Sequence, residues 1–301
     1  MSIVEVVRRR GVIGSFKKVA SVLHRNGSVR YARLRHKHAP AYVSPTPDEL
    51  ATVERKLAAL GVSVEDYLPS PDAFRSFQQE GWFPADYFGG EESSVWDEKH
   101  LEHWIARERL GLVEYDDSEV YVDIAACRSP WVHALRERAG IEAFAIDIDE
   151  VGELYANLPY YRVENATATS FPEASVSGAS LQCAYEMFVG EDDTNFVREA
   201  ARILKPGGKI LILPLYMHTH YCAYAAPEYY GKGFSDPDAK EYVNFDSAGV
   251  PSSRKYDAAQ LKKRVLDPIT SLGLTYKLLA LRNKSEFGDS IYCHFILEIS
   301  K

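Results

Sequence analysis

The chain has 301 residues, of which 46% are hydrophobic and 26% charged, and its formal net charge at pH 7 is −8. This composition is typical of a globular protein, and no apolar run approaches the roughly 18 residues of a membrane span, which excludes collagen-like, disordered and membrane-spanning chains. The 4 cysteines lie far apart, which excludes a disulfide framework and a Cys-x-x-Cys zinc site and predicts a cytoplasmic protein.

The first 40 residues are strongly basic. They contain ten Lys and Arg residues against one acid, Glu5, which gives +9, whereas the rest of the chain carries −17 to reach −8 overall. Apolar residues at helical spacing between Val12 and Leu23 predict an amphipathic helix. Two interpretations stay open: a solvated helix packed on the protein body, or contact of residues 1–40 with a partner protein or, peripherally, with the inner membrane surface. The acidic remainder would repel phosphate, so no nucleic-acid partner is predicted.

Helix signals dominate the chain up to residue 115. A capping box formed by Thr46 and Glu49 predicts that a helix begins there. Two more helices are predicted, one from Ser70 and one from Ser94 to about residue 110. We therefore expect residues 1–115 to form an N-terminal helical cap with a basic amphipathic start.

His100 and His103 are i, i+3 neighbours on the last of these predicted helices. Such a pair can hold a metal ion, but the surrounding sequence offers no further acidic or cysteine ligand pattern. No metal site is predicted in the chain.

From residue 116 onward, short β-rich runs alternate with helical segments. Strands are predicted at 120–124, 143–147, 161–163, 180–184 and 209–213, with a closing pair at 274–281 and 291–299. This alternation predicts an α/β fold over residues 116–301: a Rossmann-like doubly wound sheet, mostly parallel with an antiparallel last strand. The ligand site of such a sheet lies at the carboxyl ends of the strands, which here carry Asp123, Asp147 and Asn165.

The chain resembles class I S-adenosylmethionine-dependent methyltransferases, of the kind called methyltransferase type 11, over about residues 118–215. The resemblance rests on four segments: Asp123-Ile-Ala-Ala-Cys-Arg-Ser129, Ala145-Ile-Asp147, Glu164-Asn-Ala166 and, above all, Arg202-Ile-Leu-Lys-Pro-Gly-Gly-Lys-Ile-Leu-Ile212. It implies S-adenosylmethionine as the cofactor, S-adenosylhomocysteine as its product, and a small molecule or saccharide as the substrate.

The resemblance also implies which residues hold the cofactor. The family's first loop is rich in glycine, whereas the matching positions here are Ala125, Cys127 and Ser129, so a close approach of the cofactor requires backbone angles that these small residues can adopt. Asp147 matches the acid that accepts hydrogen bonds from the ribose hydroxyls, and Asn165 matches an acid that faces the adenine. The full set of implied cofactor contacts is Asp123, Ala125, Cys127, Ser129, Asp147, Ile148, Asn165, Ala166 and Cys183.

A hydroxyl acceptor also needs a general base. Tyr185 and Glu186 follow the fourth predicted strand, where similar enzymes often have Glu-His and this chain has Glu-Met. His218 and His220 follow the fifth strand and share one side of the segment if it is extended. For these two histidines, a base, a metal pair and ordinary loop residues stay open as interpretations.

Residues 214–257 are rich in aromatic side chains, such as Tyr224 and Tyr242, and also contain Asp236 and Asp238. Such a segment suits a polyhydroxylated substrate, and it equally suits a lid whose tyrosines pack on the core. The favoured function is O-methylation of a sugar hydroxyl on a saccharide or polysaccharide precursor. Two alternatives stay open: a methyltransferase that tailors a natural product, and a non-catalytic scaffold or partner subunit of the same fold.

Overall fold

The computed structural model of the protein describes residues 31–127, 129–149 and 157–301. The amphipathic helix predicted between residues 12 and 23 lies outside the described residues. Among the described residues, no helix combines the length and the apolar character that crossing a membrane requires.

Helices and strands alternate along most of the described chain. The helices are α1 (Pro47–Ala59), α2 (Pro71–Gln79), α3 (Trp96–Leu110), α4 (Trp131–Ala139), α5 (Asp192–Ile203), α6 (Ala258–Leu261) and α7 (Asp267–Ser271), the last two joined by a π-helical turn at Lys262–Leu266. The strands are β1 (Val64–Tyr67), β2 (Tyr121–Ile124), β3 (Ala143–Asp147), β4 (Tyr161–Val163), β5 (Val176–Gln182), β6 (Leu204–Leu215), β7 (Cys222–Ala225), β8 (Lys240–Val243), β9 (Ser253–Lys255), β10 (Thr275–Leu281) and β11 (Phe295–Ser300).

Eight of these strands form one sheet in the order β1-β10-β11-β6-β5-β2-β3-β4. Neighbouring strands are parallel except at β11, which runs antiparallel to both β10 and β6. The predicted Rossmann-like α/β fold, mostly parallel with an antiparallel last strand, is confirmed. The strand order reverses between β5 and β2. Ligands bind to such sheets at the point of reversal, beyond the carboxyl ends of the strands.

The sequence signals that start the first two described helices are confirmed. The Thr46 hydroxyl accepts a hydrogen bond from the backbone N–H of Glu49 at 3.3 Å, and the Glu49 carboxylate accepts one from the backbone N–H of Thr46 at 2.8 Å. The hydroxyl of Ser70 caps α2. α3 instead begins at Trp96, two residues after the predicted Ser94, and its start has no side-chain cap.

The predicted boundary between residues 115 and 116 differs from the division that the structure has. β1 lies within the predicted helical cap, yet it pairs in parallel with β10 and forms one edge of the sheet. α3 packs against β5 and β6, and most of its residues are buried. Pro45–Tyr221 and Arg254–Lys301 therefore form one compact unit. Local sequence signals miss this because β1 pairs with a strand more than 200 residues away.

The second compact unit combines the segment that ends at Ser44 with Cys222–Ser253, inside the predicted insertion. Within it, β7 pairs in parallel with β8. The ring of Tyr42 packs against those of Tyr224 and Tyr242, with centroid distances of 4.7 and 6.2 Å. These two tyrosines of the insertion therefore pack against a ring of the segment that ends at Ser44, within the same unit.

β5 begins four residues earlier than the sequence predicts, at Val176 rather than at residue 180. Its early residues Ser177 and Gly178 have little β-propensity, so the sequence pattern misses them. They belong to the sheet because β5 has a partner on either side, and Gly178 lies opposite Tyr121 of β2 and Lys209 of β6. β5 ends at Gln182, so Cys183 is the first residue after the strand.

Candidate functional site

Two cavities meet beyond the carboxyl ends of β2, β3 and β5. The first has a volume of about 390 Å³ and the second a volume of about 490 Å³. Ala125, Cys127 and Cys183 line both, so the cavities adjoin at these three residues. The first cavity is also lined by Asp147, Ile148, Asn165, Ala166, Met187 and Phe188, among others, and the second by Tyr87, Phe88, Lys99, Glu102, His103, Asp123 and Ser129, among others.

The loop after β2 adopts glycine-type backbone angles without glycine. The φ angles are +56° at Ala125 and +52° at Cys127, a left-handed conformation that costs a residue with a Cβ about 1–2 kcal/mol. Two hydrogen bonds hold the loop: the N–H of Ala126 donates to the backbone oxygen of Ile146 at 3.1 Å, and the N–H of Cys127 donates to Oδ2 of Asp147 at 2.7 Å. At Ala125 and Cys127 the backbone therefore takes the left-handed angles that glycine favours, and the side chains at these two positions are small.

Ser129 ends this loop and lies two residues before α4 begins. Its Oγ accepts a hydrogen bond from the N–H of Trp131 at 3.2 Å, and its backbone oxygen accepts one from the Tyr161 hydroxyl at 2.6 Å. Ser129 also lines the second cavity. The hydrogen bonds of this residue thus fix the start of α4 at the cavity wall.

The first cavity carries a carboxylate oriented by backbone donors. Besides the bond from Cys127 to Oδ2, the N–H of Asp149 donates to Oδ1 of Asp147 at 3.0 Å. Each of these oxygens keeps accepting capacity for a ligand, since a carboxylate oxygen has two lone pairs. Much of the remaining wall is apolar, formed by Ile148, Ala166, Met187, Phe188 and Val189. This combination suits a ligand that has a flat apolar ring and neighbouring hydroxyl groups.

Asn165 lines the first cavity, but its carbonyl oxygen is already used. Oδ1 accepts hydrogen bonds from both the N–H and the hydroxyl of Thr167, each at 2.9 Å. The contact predicted for Asn165 with an adenine amino group requires the same oxygen, whose two lone pairs are occupied. In the structure Asn165 therefore stabilises the turn that follows β4.

The second cavity is lined by a buried ion pair of α3. Nζ of Lys99 lies 2.9 Å from Oε2 of Glu102, and Sγ of Cys183 donates to Oε1 of Glu102 at 3.0 Å. Burial by itself would lower the pKa of Lys99, but the charge of Glu102 raises it above its ordinary value. α3 therefore presents one fixed ammonium and one fixed carboxylate to this cavity.

Asp123, at the carboxyl end of β2, lines the second cavity without a partner. Its side chain is buried, with 1% of the residue exposed, and among the described residues neither carboxylate oxygen has a hydrogen-bond partner. Burial raises the pKa of Asp123 well above its ordinary value, and the charges of Asp147 and Glu102 add to this. Because a buried carboxyl group without a partner is costly, a ligand that supplies the partner is expected here.

A histidine and a tyrosine also meet at the second cavity. Nε2 of His103 lies 2.9 Å from the hydroxyl of Tyr87, and the imidazole packs against the rings of Phe83 and Trp131 at centroid distances of 4.9 and 5.1 Å. Burial, reinforced by the charge of Lys99, lowers the pKa of His103 well below its ordinary value. The imidazole is therefore neutral at pH 7.

The four residues predicted as bases, Tyr185, Glu186, His218 and His220, are not among the described residues that line the two cavities. Glu186 nevertheless lies near enough to Lys99 and Glu102 for their charges to affect its pKa. The hydroxyl of Tyr185 donates to the backbone oxygen of Asp193 at 3.0 Å, and burial raises the pKa of Tyr185, so this hydroxyl keeps its proton. Burial also raises the pKa of Glu186.

His218 and His220 lie beyond β6 with their ring centroids 4.4 Å apart. The N–H of Thr219 donates to Nδ1 of His218 at 2.9 Å, and Lys56 of α1 donates to the backbone oxygen of Thr219 at 2.8 Å. The two rings therefore share one side of the segment, as its alternation predicts, but that side lies beside α1.

Lys99, Glu102 and Tyr87 are not predicted for the site by the sequence, which pairs His103 only with His100 as a metal ligand. His100 uses Nδ1 in a hydrogen bond to the backbone of its own helix at 2.9 Å. One signal was available: charged residues, Lys99 and Glu102 among them, are spread around this helix without a single polar face, so some of them must be buried when the helix packs. Lys99 and Glu102 pair with each other, but Cys183, which donates to Glu102, lies 81 residues away in the sequence.

Known methyltransferases are similar to this chain. Residues 122–212 match the family model described as a methyltransferase domain. One similar solved structure is the 1,6-didemethyltoxoflavin-N1-methyltransferase of Burkholderia thailandensis with bound 1,6-didemethyltoxoflavin and S-adenosylhomocysteine, at 13% identity and a TM-score of 0.45, covering 79% of this chain and 92% of that one. A second is a methyltransferase of Methanosarcina mazei, at 15% identity and a TM-score of 0.39, covering 62% of this chain and 94% of that one. A third is the geranyl diphosphate C-methyltransferase of Streptomyces coelicolor, at 14% identity and a TM-score of 0.38, covering 70% of this chain and 84% of that one. The comparison with curated protein sequences gave no match.

Proposed function

We propose that this chain, whose residues 122–212 match the family model described as a methyltransferase domain, transfers a methyl group from S-adenosylmethionine to a small-molecule acceptor. The observation that carries the proposal is the loop after β2. Ala125 and Cys127 hold the backbone angles of a glycine-rich loop, and the N–H of Cys127 binds the acid at the end of β3. The carboxyl edge of the sheet thus combines a close backbone approach with an acid suited to ribose hydroxyls.

The residues of the first cavity fit the nucleoside part of this donor. The carboxylate of Asp147 would accept hydrogen bonds from the ribose hydroxyls, and Ile148, Ala166 and Phe188 would provide apolar surface for the adenine. When bound, the donor supplies an electrophilic methyl group on a sulfonium. Methyl transfer is an in-line displacement, so these residues act by holding the reactants in position and excluding water.

The second cavity fits an acceptor hydroxyl, which supports O-methylation. Tyr87 and His103 form the pair that removes its proton. The acceptor proton passes to the oxygen of Tyr87 while the Tyr87 proton passes to Nε2 of the neutral His103, across the 2.9 Å that separates these two atoms. General bases of this kind contribute about 10²–10⁴-fold to such reactions. Tyr87 and His103 thus take the role of general base that the sequence predicts for His218, His220, Glu186 or Tyr185.

The acceptor that we propose is a sugar hydroxyl on a saccharide or polysaccharide precursor, and a hydroxyl of a natural product is the second candidate. The composition of residues 214–257 supports the first, since aromatic residues and acids such as Asp236 and Asp238 suit a polyhydroxylated molecule. A non-catalytic scaffold is less consistent with Asp123 and with the Lys99–Glu102 pair, because a buried carboxyl group without a partner among the described residues and a buried ion pair cost free energy that apolar residues would not.

Isothermal titration calorimetry with S-adenosylhomocysteine tests the proposal. We expect binding in the micromolar range, and the absence of heat at millimolar ligand would favour the scaffold. S-adenosylmethionine with an isotopically labelled methyl group, offered with a panel of sugar nucleotides and a panel of phenolic natural products, then identifies the acceptor. Label in the sugars supports the saccharide proposal, and label only in the phenols replaces it by the second candidate.

The proposed place of action is the cytoplasm, with residues 1–40 as the contact to a partner protein or to the inner membrane surface. The charge of +9 in this segment supports the proposal. Flotation with anionic vesicles, compared between the full chain and a variant with Arg8, Arg9 and Arg10 replaced by serine, tests the membrane contact.

A further inference from the structure

We propose that Arg254 and Arg264 are positioning residues for the methyl donor. Both hold the backbone oxygen of Gly190, and we call these two contacts the Gly190 clamp. The clamp sets the position of residues 187–189, a wall of the first cavity, although neither arginine is among the described residues that line the cavities. This inference rests on the proposed function and adds to it two residues that act on the donor through the wall.

Two guanidinium groups meet at one peptide group. Nη2 of Arg254 donates a hydrogen bond to the backbone oxygen of Gly190 at 2.8 Å, and Nη2 of Arg264 donates to the same oxygen. A carbonyl oxygen has two lone pairs, so these bonds use both. The φ angle of Gly190 is +56°, and the chain turns here between the wall and α5. Side chains 64 and 74 residues farther along the chain therefore fix the orientation of this turn.

The clamp and the first cavity share the first turn of α5. Asp192 lines the cavity, whereas the next residue, Asp193, is buried and binds the two guanidinium groups at 2.6 and 2.7 Å. At the other end of the wall, the hydroxyl of Tyr185 donates to the backbone oxygen of Asp193 at 3.0 Å. Residues 185–193 thus form a loop that is closed at its base, and residues 187–189 are the part that lines the cavity.

Arg264 is brought to α5 by a π-helical turn, Lys262–Leu266. Such turns are rare and frequently occur at functional sites. Nε and Nη2 of Arg264 donate to the two carboxylate oxygens of Asp193 at 2.9 and 2.7 Å, and its backbone oxygen accepts a hydrogen bond from the Thr194 hydroxyl at 2.9 Å. A two-pronged pair of this kind fixes direction as well as distance. It therefore aims Nη2 of Arg264 at Gly190.

The position of the wall matters because its contact with the adenine would be apolar. Such contact depends steeply on distance: a gap of about 0.5–1 Å already forfeits about a quarter to a half of the dispersion attraction. A wall released from the clamp would still be present, but it would pack less closely on the base. The clamp thus contributes to donor affinity without touching the donor.

Calorimetry with S-adenosylhomocysteine tests this inference. Arg264→Met keeps the stem of the side chain and removes its N–H donors, and we expect the affinity to fall by about tenfold. Arg264→Lys keeps the charge and one donor group but not the fork, so its affinity should fall by only about threefold. The matched control is Arg198→Met, an exposed arginine of α5 that donates to Asn195 of the same helix at 2.5 Å, and it should bind as the wild-type chain does.

A double-mutant cycle separates positioning from a general effect on stability. Phe188→Ala removes the largest side chain of the wall. If the clamp acts through the wall, Arg264→Met should cost no more than about threefold in the Phe188→Ala background, because residues that act through one another are not additive. A merely structural role would lower the fraction of binding-competent protein, which calorimetry reports as stoichiometry, and would leave the dissociation constant unchanged.

The outcomes separate this inference from the proposed function. A wild-type dissociation constant for Arg264→Met, or the same tenfold loss in both backgrounds, contradicts the clamp and leaves the proposed function standing. If Arg264→Met does not fold, Arg264→Lys decides: a loss that disappears in the Phe188→Ala background supports the clamp, and a loss that persists there, or no loss at all, contradicts it. If the wild-type chain does not bind S-adenosylhomocysteine, the proposed function fails, and this inference fails with it.

Discussion

The backbone N–H of Cys127 donates a hydrogen bond to Oδ2 of Asp147 across 2.7 Å. This bond links the loop after β2 to the acid that ends β3, two segments that only the parallel pairing of these strands brings together. It holds the loop in its left-handed conformation and orients the carboxylate toward the first cavity. One contact thus stabilises both the shape of the site and its main polar group.

Replacing Asp147 should weaken the binding of S-adenosylhomocysteine. Asp147→Ala removes the acceptor for the ribose hydroxyls and also the acceptor of the Cys127 N–H, so we expect a loss of about 1–3 kcal/mol of binding free energy. Calorimetry measures this loss. The control is Asp72→Asn, an exposed acid of α2, which should leave the affinity unchanged. An Asp147→Ala variant with the wild-type affinity would remove this residue from the site.

Introducing glycine at the left-handed positions should stabilise the protein. Cys127→Gly relieves a conformation that costs about 1–2 kcal/mol, while the greater freedom of glycine in the unfolded chain offsets roughly 0.5–1 kcal/mol of that gain. The expected net effect is a gain of up to about 1 kcal/mol in the free energy of unfolding, measured by urea denaturation. Ala126→Gly is the control, because Ala126 is not among the described residues with positive φ, and it should lose stability. Equal losses in both variants would show that the backbone of Cys127 is not strained.

Removing the proposed base should lower turnover but leave donor binding unchanged. Once an acceptor hydroxyl is identified, His103→Gln and Tyr87→Phe should each lower kcat by about 10²–10⁴-fold. Their affinity for S-adenosylhomocysteine should stay within about threefold of the wild-type value, because a base acts in the transition state. His218→Gln and His220→Gln serve as controls and should retain turnover. A loss of turnover confined to these two controls would return the base to the segment after β6.

The buried cluster around Asp193 should make stability dependent on pH. Guanidinium nitrogens of Arg264 and Arg254 lie 2.7 Å and 2.6 Å, respectively, from the carboxylate oxygens of Asp193. Burial alone would raise the pKa of Asp193, but the hydrogen bonds from Arg264 and the charge of Arg254 hold this pKa below its ordinary value. Because the pKa of Asp193 is lower in the folded protein, the stabilisation by its carboxylate is present above about pH 4, which is the pKa of an aspartate in the unfolded chain. This stabilisation is lost as the pH falls through the pKa of the folded state.

Asp193→Asn should therefore lower the free energy of unfolding by about 3–5 kcal/mol at pH 7, since it removes the buried carboxylate that the guanidinium groups of Arg254 and Arg264 share. The difference from the wild-type chain should shrink as the pH falls below about 4. Urea denaturation at pH 7 and at pH 3 measures both quantities. A difference that is the same at both values would show that the charge of Asp193 does not contribute.

The sequence by itself determined the sheet and the acids at its edge. Alternating β-rich runs and helices indicate parallel strands, and Asp123 and Asp147 stand at the carboxyl ends of two of them, so local order in the chain is sufficient to bring them to one edge. The capping box at Thr46 is equally local, because its hydrogen bonds join residues three apart. Such features depend on neighbours in the chain and can be predicted from it.

Only the tertiary structure decided which residues complete the site. Lys99, Glu102 and His103 lie on a helix that the sequence assigns to a separate cap, and they face the sheet because α3 packs on β5 and β6. Tyr185 and His218 were predicted from positions next to strand ends, yet their side chains contact Asp193 and Thr219 instead. The physical reason is that the direction of a side chain beyond a strand end depends on packing against distant segments, which no local pattern in the chain records.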